Sequence, residues 1–358
     1  MLGFIRRWFS SSVAASLPTR QERAVEDAEF EAIDAAVLDE PKDDGPPWWV
    51  AAPADAAVPA RTEAAVVDRK VYDRLAAALD NPSLELPQAP AVAQRALTAL
   101  REPDVKLAAV ADIVSRDAAL ATDVLRLANS NAFRGFSEIR RLDVAFARLG
   151  QRELRRLLLT NSVRALASGF AGELRRTSDE VSRRAQACAA VMSHLAARWR
   201  VPVDDAFLAG LLHDIGQLAV LRVLADHIDR SGGQLPRALV RQLCDEWHEH
   251  LGIRLADAWG LPDPIPEIIG NHHRPVPADD KLADLRLLTQ LADLVCSRLG
   301  IGPVQGGEFF EFPCTRRLGL VDDVETREML KGLPGVVKQA LAGIEGEPRG
   351  DQDRFKTS

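Results

Sequence analysis

The residues most able to do chemistry are a histidine and an aspartate that interrupt an apolar stretch. His213 and Asp214 lie inside the run 206–220, which is otherwise almost entirely apolar. Such a run normally forms core, and an ionisable pair inside it costs free energy unless it is paired, hydrogen-bonded or metal-bound. The pair is therefore predicted to be either a structural partner or a ligand. Gly216, just after it, lets a second backbone come close.

Further nitrogen and oxygen ligands follow later in the chain. Imidazole and carboxylate together suit divalent manganese, iron or zinc, and two metals bridged by an aspartate would activate water against a phosphate ester. Two of the candidate ligands have simpler explanations from the residues alone, since His273 could end a helix and Asp293 could cap or pair at the surface. The candidate metal ligands are His213, Asp214, His248, His272, His273 and Asp293.

The cysteines do not point to a disulfide or a structural zinc site, because they are far apart and form no CxxC pair. A reducing compartment fits this usage. One of them, Cys244, precedes His248 by one helical turn and could join it on a metal, although cysteine is more often buried as a small apolar residue. The four are Cys188, Cys244, Cys296 and Cys314.

The elements that must position these ligands are predicted to be helices. Aromatic residues make up 5% of the chain, with one tyrosine, and Ala, Leu and Arg dominate, which favours helices over sheets. Apolar residues recur at helical spacing in short segments from residue 62 onward, with no convincing strand and no internal repeat. We expect a long helix at 178–199, a central helix at 205–222 begun by Asp204 or Asp205, and two last helices at 321–331 and 334–344.

The quoted motifs resemble a known family. The string Leu-Leu-His-Asp-Ile-Gly at 211–216 is similar to the signature of the HD superfamily of metal-dependent phosphohydrolases. Several further segments resemble the HD-related output domain, HDOD. The resemblance implies an all-α, HD-like multi-helix bundle with an additional N-terminal helical subdomain, and a role in bacterial signalling in which many relatives are not enzymes. The HDOD-like segments are 86–90, 112–120, 125–130, 145–150, 259–262 and 272–275.

One departure from the family pattern bears on activity. Active HD hydrolases place a metal-ligating histidine in the helix before the HD pair, and here that position is Arg184 or its neighbour Arg183. Arginine stays protonated and cannot ligate a metal, and His194 lies nearly three turns further along. We expect the Arg184 guanidinium to hydrogen-bond Asp214 or Asp293 instead. No Gly-Tyr-Pro follows the histidine pair, so cleavage of cyclic di-GMP is not expected.

Composition and the resemblance together predict four parts of the chain. Residues 1–60 are a disordered or docking segment, 61–177 the N-terminal helical half, 178–300 the HD-like half, and 301–358 the C-terminal helices and tail. Prolines and exposed tryptophans at Trp48 and Trp49 suit docking or a plain linker, and the segment is expected to be dispensable for folding.

These observations favour a cytoplasmic bacterial regulatory module that binds a signalling protein or a small nucleotide without catalysis. The alternative is a metal-dependent phosphohydrolase of the HD type. Residues 1–9 could touch a membrane surface as an amphipathic helix, but no run of ~18 apolar residues predicts a transmembrane segment. A net charge of -7 weighs against a nucleic-acid partner. The arginines that would form such a surface are 134, 140, 141, 148, 152, 155, 156 and 164.

Overall fold

The described residues fold entirely into helices and connecting segments. In the computed structural model these residues are 47–50, 69–102, 104–130, 133, 138–231, 233–303 and 305–345. Among them there is no strand, which confirms the all-α prediction. The predictions for residues 1–9 and for a helix beginning near residue 62 fall outside this part of the chain.

Thirteen α-helices are assigned in the described residues. The first seven are α1 (Arg69–Leu79), α2 (Ala91–Ala99), α3 (Leu107–Val114), α4 (Ala118–Ala128), α5 (Leu142–Ala167), α6 (Gly172–Leu195) and α7 (Val203–Leu212). The others are α8 (Ile215–Ser231), α9 (Arg237–Trp259), α10 (Ile265–Asn271), α11 (Ala283–Arg298), α12 (Pro313–Arg317) and α13 (Val324–Glu345). Two 3-10 helices span Ala196–Trp199 and Phe309–Glu311.

The helices enclose two apolar cores that meet along α5. Leu154 and Leu158 belong to the smaller core of α2–α5, whereas Leu159 and Val163 belong to the larger core formed with α6–α13. A bend at Gly150, whose φ is 73°, turns the first part of α5 away from the second. The long helix thus ties the N-terminal helices to the bundle that holds the candidate ligands.

Close helix crossings fix the His-Asp segment in the larger core. A Cβ on Gly210 would lie 2.6 Å from the Cα of Ala189 on α6, and a Cβ on Gly216 would overlap the carbonyl oxygen of His248 on α9. Contacts this short are available to glycine alone. The expectation that Gly216 admits a second backbone is confirmed.

The central helix predicted at 205–222 is wrong in its bounds. The helix is interrupted between Leu212 and Ile215, so His213 and Asp214 form a turn between α7 and α8. Helix α7 follows Pro202, and no side chain caps it. The two acidic residues proposed as its cap, Asp204 and Asp205, lie instead in its first turn. There their negative charges interact favourably with the positive end of the helix dipole.

Two other helix bounds also differ from the predictions. Helix α6 begins at Gly172 rather than at 178, so the division drawn between 177 and 178 falls inside a continuous helix. The two helices expected at 321–331 and 334–344 form one helix, α13, with Pro334 inside it.

The tryptophan pair, Trp48 and Trp49, packs on the helical core. Trp49 is 5% exposed and belongs to the larger core, and Trp48 is half-buried against it. The Trp48 ring makes edge contacts with Trp49 at 5.4 Å and with Phe309 at 5.9 Å between centroids. The expectation that both side chains are exposed is therefore wrong, and this packing argues against the expectation that residues 1–60 are dispensable for folding.

One stretch of the described residues, Val203–Ser231, is long and apolar enough to cross a membrane by length and composition. Within its most apolar window, 78% of the residues are buried inside the protein, so the apolar character is explained by core packing.

Candidate metal centre

The predicted ligands come from helices and turns that converge at the centre of the larger core. Helix α6 supplies Arg184, α9 supplies His248 and α11 supplies Asp293, while the α7–α8 turn supplies His213 and Asp214. His272 and His273 follow directly after α10. All are buried except His273, which is exposed on one side.

Three histidine rings are oriented by the backbone of their own turns. In each ring Nδ1 faces a carbonyl oxygen, and because a carbonyl can only accept, Nδ1 donates, so that in the neutral ring the lone pair is on Nε2. Such an outer hydrogen bond is the usual way in which proteins fix a ligating imidazole. The donors are His213, His248 and His272, and their respective acceptors are Gly210 (2.9 Å), Cys244 (3.0 Å) and Ile269 (2.9 Å).

Asp214 is the point on which the histidines converge. Its Oδ1 lies 3.3 Å from Nε2 of His272 and 3.7 Å from Nε2 of His248, and its Oδ2 lies 3.4 Å from Nε2 of His213. These three ring nitrogens and Oδ1 are buried and have no hydrogen-bond partner among the described residues. Four unpartnered polar atoms facing one another are unusual in a protein interior.

Arg184 occupies the other side of the aspartates. Its Nε donates to Oδ1 of Asp293 at 2.7 Å, its Nη2 donates to the same oxygen, and its Nε lies 3.8 Å from Oδ2 of Asp214. Arg184 is 8% exposed and both carboxylates are more deeply buried. The backbone of Gly302 lies against the guanidinium, since a Cβ there would be 3.0 Å from Cδ and Nη1 of Arg184. Arg184, and not Arg183, therefore lies in the centre.

Burial and the neighbouring charges shift the pKa values of these groups. Burial opposes ionisation of Asp293, but the adjacent imidazole of His213 and the charge of Arg184 hold its pKa well below the usual range. Burial likewise opposes the charge of Asp214, yet His213, His272 and Arg184 keep its pKa far below normal. Burial and the neighbouring His272 lower the pKa of His273 to about 4, so its imidazole is neutral at pH 7 and retains a lone pair.

The donor set fits a divalent transition metal on one side of Asp214. Asp214, His248, His272 and His273 each offer one atom, and these atoms lie within 4.8 Å of one another. Metal bonds of about 2.0–2.2 Å to nitrogen and oxygen place neighbouring ligand atoms roughly 3–4 Å apart. A second set on the other side, Cys188, His213 and Asp293, is the one against which Arg184 packs.

A cavity of about 250 Å³ opens beside the centre. His273, Asp293, Phe312 and Cys314 are among the residues that line it. Gln305 also lines it and donates from Nε2 to Oδ2 of Asp293 at 3.1 Å. The cavity has room for a small polar ligand next to the histidines.

The structure brings together every residue in the predicted set. Asp293 is 5% exposed, so the suggestion that it caps or pairs at the surface is wrong. Cys244 is buried but belongs to neither set of ligand atoms. Cys188 and Gln305, which also lie at the centre, were not predicted from the sequence. Cys188 follows Arg184 by one turn on the same helix face, which could have identified it, whereas Gln305 lies in a glycine-rich loop that carries no such signal.

The arginines considered as a nucleic-acid surface mostly have partners in the protein. Arg156 pairs with Asp204 at 2.8 Å, and Arg155 donates to the carbonyl of Leu100 at 3.0 Å. Arg141 pairs with Asp143 at 2.7 Å. Arg134 lies outside the described residues. These contacts indicate that the arginines form ion pairs and backbone hydrogen bonds within the protein, and they do not favour a nucleic-acid surface.

Solved structures share this fold. A candidate metal-dependent phosphohydrolase from Shewanella amazonensis SB2B matches with a TM-score of 0.59 at 20% identity, over 76% of this chain and 98% of the other. An HDOD domain protein with unknown function from Geobacter sulfurreducens matches with a TM-score of 0.54 at 25% identity, over 78% and 99%. A candidate signal transduction protein from Marinobacter aquaeolei VT8 gives 0.52 at 22% identity, over 79% and 67%.

Sequence comparison agrees with the structural likeness. An uncharacterized protein of Treponema pallidum (strain Nichols) is 26% identical over 195 residues, which are 53% of this chain and 38% of that protein. The fold and the arrangement of histidines and aspartates define an all-α protein of the HD type. Residues 86–275 match the HDOD domain, and the chain belongs to the HDOD family.

Proposed function

We propose that this HDOD protein is a non-catalytic regulatory module of bacterial signal transduction, acting in the cytoplasm by binding a signalling protein or a small nucleotide. The observation that carries the proposal is the guanidinium of Arg184 seated on Asp293. The cavity beside the centre supports a small ligand, because it lies open to His273 and Asp293.

The Arg184–Asp293 pair works against two-metal hydrolysis. That chemistry uses two cations about 3.5–4 Å apart to stabilise the attacking and leaving oxygens. Here one carboxylate of the expected pair is already bonded to a protein cation that can neither ligate a metal nor release its proton. Arg184 supplies positive charge to Asp293 and Asp214 but offers no open coordination position for a water nucleophile.

A hydrolysis assay tests the proposal. Purified protein is incubated with Mn²⁺ or Fe²⁺ and with p-nitrophenyl phosphate, cyclic di-GMP or guanosine tetraphosphate. We expect no product above the level of a protein-free control. Metal-dependent turnover that Asp214→Ala abolishes would overturn the non-catalytic assignment.

The second candidate function is metal-dependent phosphohydrolysis, which is favoured by the unpartnered atoms on the other side of Asp214. Asp214, His248, His272 and His273 would hold one divalent ion, with manganese, iron or zinc suited to the ligand types. A bound ion there would supply Lewis acidity or a coordinated water. The two functions differ in turnover, since the regulatory module would bind metal without releasing phosphate.

A further inference from the structure

The loop formed by residues 305–312, here called the roof loop, closes one side of the cavity. Gln305 donates from Nε2 to Oδ2 of Asp293 at 3.1 Å and from its backbone nitrogen to Oγ of Ser297 at 2.7 Å. Phe312, at the other end of the loop, lines the cavity wall. The roof loop therefore joins the metal centre at one end and the cavity at the other.

The middle of the roof loop is held by side chains from the beginning of the chain. Phe309 is 1% exposed, and its ring lies edge-on to Trp48 at 5.9 Å. Trp48 in turn lies edge-on to Trp49, which is anchored in the larger core. Edge-to-face aromatic contacts of this kind are favourable beyond the area they bury. The tryptophan pair thus packs between the roof loop and the core.

The backbone freedom of the roof loop lies at two consecutive glycines before the 3-10 helix Phe309–Glu311. These are Gly306 and Gly307, and Gly307 has a φ of 108°, a conformation that favours glycine. Contacts within the C-terminal region restrain the loop, because the hydroxyl of Thr315 donates to the carbonyls of Phe309 (2.9 Å) and Phe312 (2.8 Å). These bonds hold the end of the loop near α12, and the ring of Phe309 packs against Trp48.

We propose that the tryptophan pair is a docked latch that keeps the roof loop closed over the cavity. The tryptophan pair and the roof loop both lie outside the matched HDOD residues 86–275. Undocking of Trp48 and Trp49 would release the loop and expose the cavity. The proposal rests on the proposed function only in treating the cavity as the ligand site, and closure can be measured without any ligand.

Cys314 reports on closure, because it lines the cavity and is 4% exposed. The full chain and its Trp48→Ala/Trp49→Ala variant are treated with iodoacetamide in the native state, and the modification rate of each cysteine is followed by peptide mass spectrometry. When opening is rapid, the rate is proportional to the open population. We expect Cys314 to react about tenfold faster in the variant, which corresponds to about 1.4 kcal/mol. Cys244, in the core and 1% exposed, should react at the wild-type rate.

Two controls separate the latch from general loss of stability. Tyr72→Ala removes another half-buried aromatic side chain, on α1, and it should leave the rate at Cys314 unchanged. The single variant Trp48→Ala alters a half-buried ring and should raise that rate in the same direction, which decides the question if the double variant does not fold. An unchanged rate at Cys314, or equal acceleration of Cys244 and Cys314, would overturn the proposal, as would the same effect in Tyr72→Ala.

Discussion

Replacing Arg184 with alanine leaves two buried carboxylates without the guanidinium that faces both of them. Asp293 would lose a donor at 2.7 Å and Asp214 would lose a positive charge at 3.8 Å. Neither aspartate is more than 5% exposed, so water cannot readily take the place of the lost group. The substitution therefore leaves uncompensated negative charge in the core.

The expected loss follows from this burial. Removing one partner of a buried ion pair costs about 3–5 kcal/mol, because the remaining charge is uncompensated. In a protein of this size, 1 kcal/mol shifts the melting temperature by about 2–4 °C. Arg184→Ala is thus expected to melt roughly 6–20 °C below the wild type at pH 7.

The assay is thermal unfolding followed by circular dichroism, in buffer with EDTA so that no metal replaces the lost charge. A matched control lies on the same helix, since Arg175 is 53% exposed and pairs with Asp179 at 3.7 Å. An exposed pair of this kind contributes about 0.2–1 kcal/mol, so Arg175→Ala should melt within a few degrees of the wild type. If Arg184→Ala also melts within a few degrees of the wild type, the buried pair does not stabilise the fold and the reasoning is refuted.

Two further predictions concern acid stability and the tryptophan pair. Asp293→Asn should melt below the wild type at pH 7. The difference in melting temperature between the two proteins should narrow as the pH falls below about 4. Arg184 and His213 hold the pKa of Asp293 below its usual range, so the stabilisation that Asp293 contributes is lost as acid protonates this carboxylate. A gap that stays constant from pH 7 to pH 3 would contradict this. A chain that starts at residue 62 lacks Trp48 and Trp49, and it should melt several degrees lower since a buried tryptophan contributes about 3–5 kcal/mol. An unchanged melting temperature would show that the pair adds nothing to stability.

The ligand set could be predicted from sequence because ionisable residues stand out inside apolar segments. His213 and Asp214 interrupt a buried run, and His272 lies in a segment that resembles HDOD proteins. Arg184 followed from the same resemblance as the residue at a position where a histidine would ligate. What the sequence could not provide was the direction of each ring, which depends on carbonyls in the same turns.

Other features depend on contacts between distant parts of the chain. The break at His213 and Asp214 has no local signal, since both residues are compatible with a helix, and it depends on how α7 and α8 pack. Pro334 suggested a helix end, yet α13 continues through it because Leu330, Leu333 and Val337 form one buried stripe. Trp48 and Trp49 looked exposed because Phe309, which Trp48 contacts, lies at the other end of the chain.

The central claim is that Arg184 takes the place of one cation and leaves the protein room for a single metal ion. The most direct measurement is the metal content of the purified chain after loading with Mn²⁺, Fe²⁺ or Zn²⁺ and removal of the excess, determined by inductively coupled plasma mass spectrometry beside the variant Arg184→His. The claim predicts one ion per chain in the wild type, held by Asp214 and its histidines, and two in Arg184→His. Two ions per chain in the wild type, or none in either protein, would contradict it.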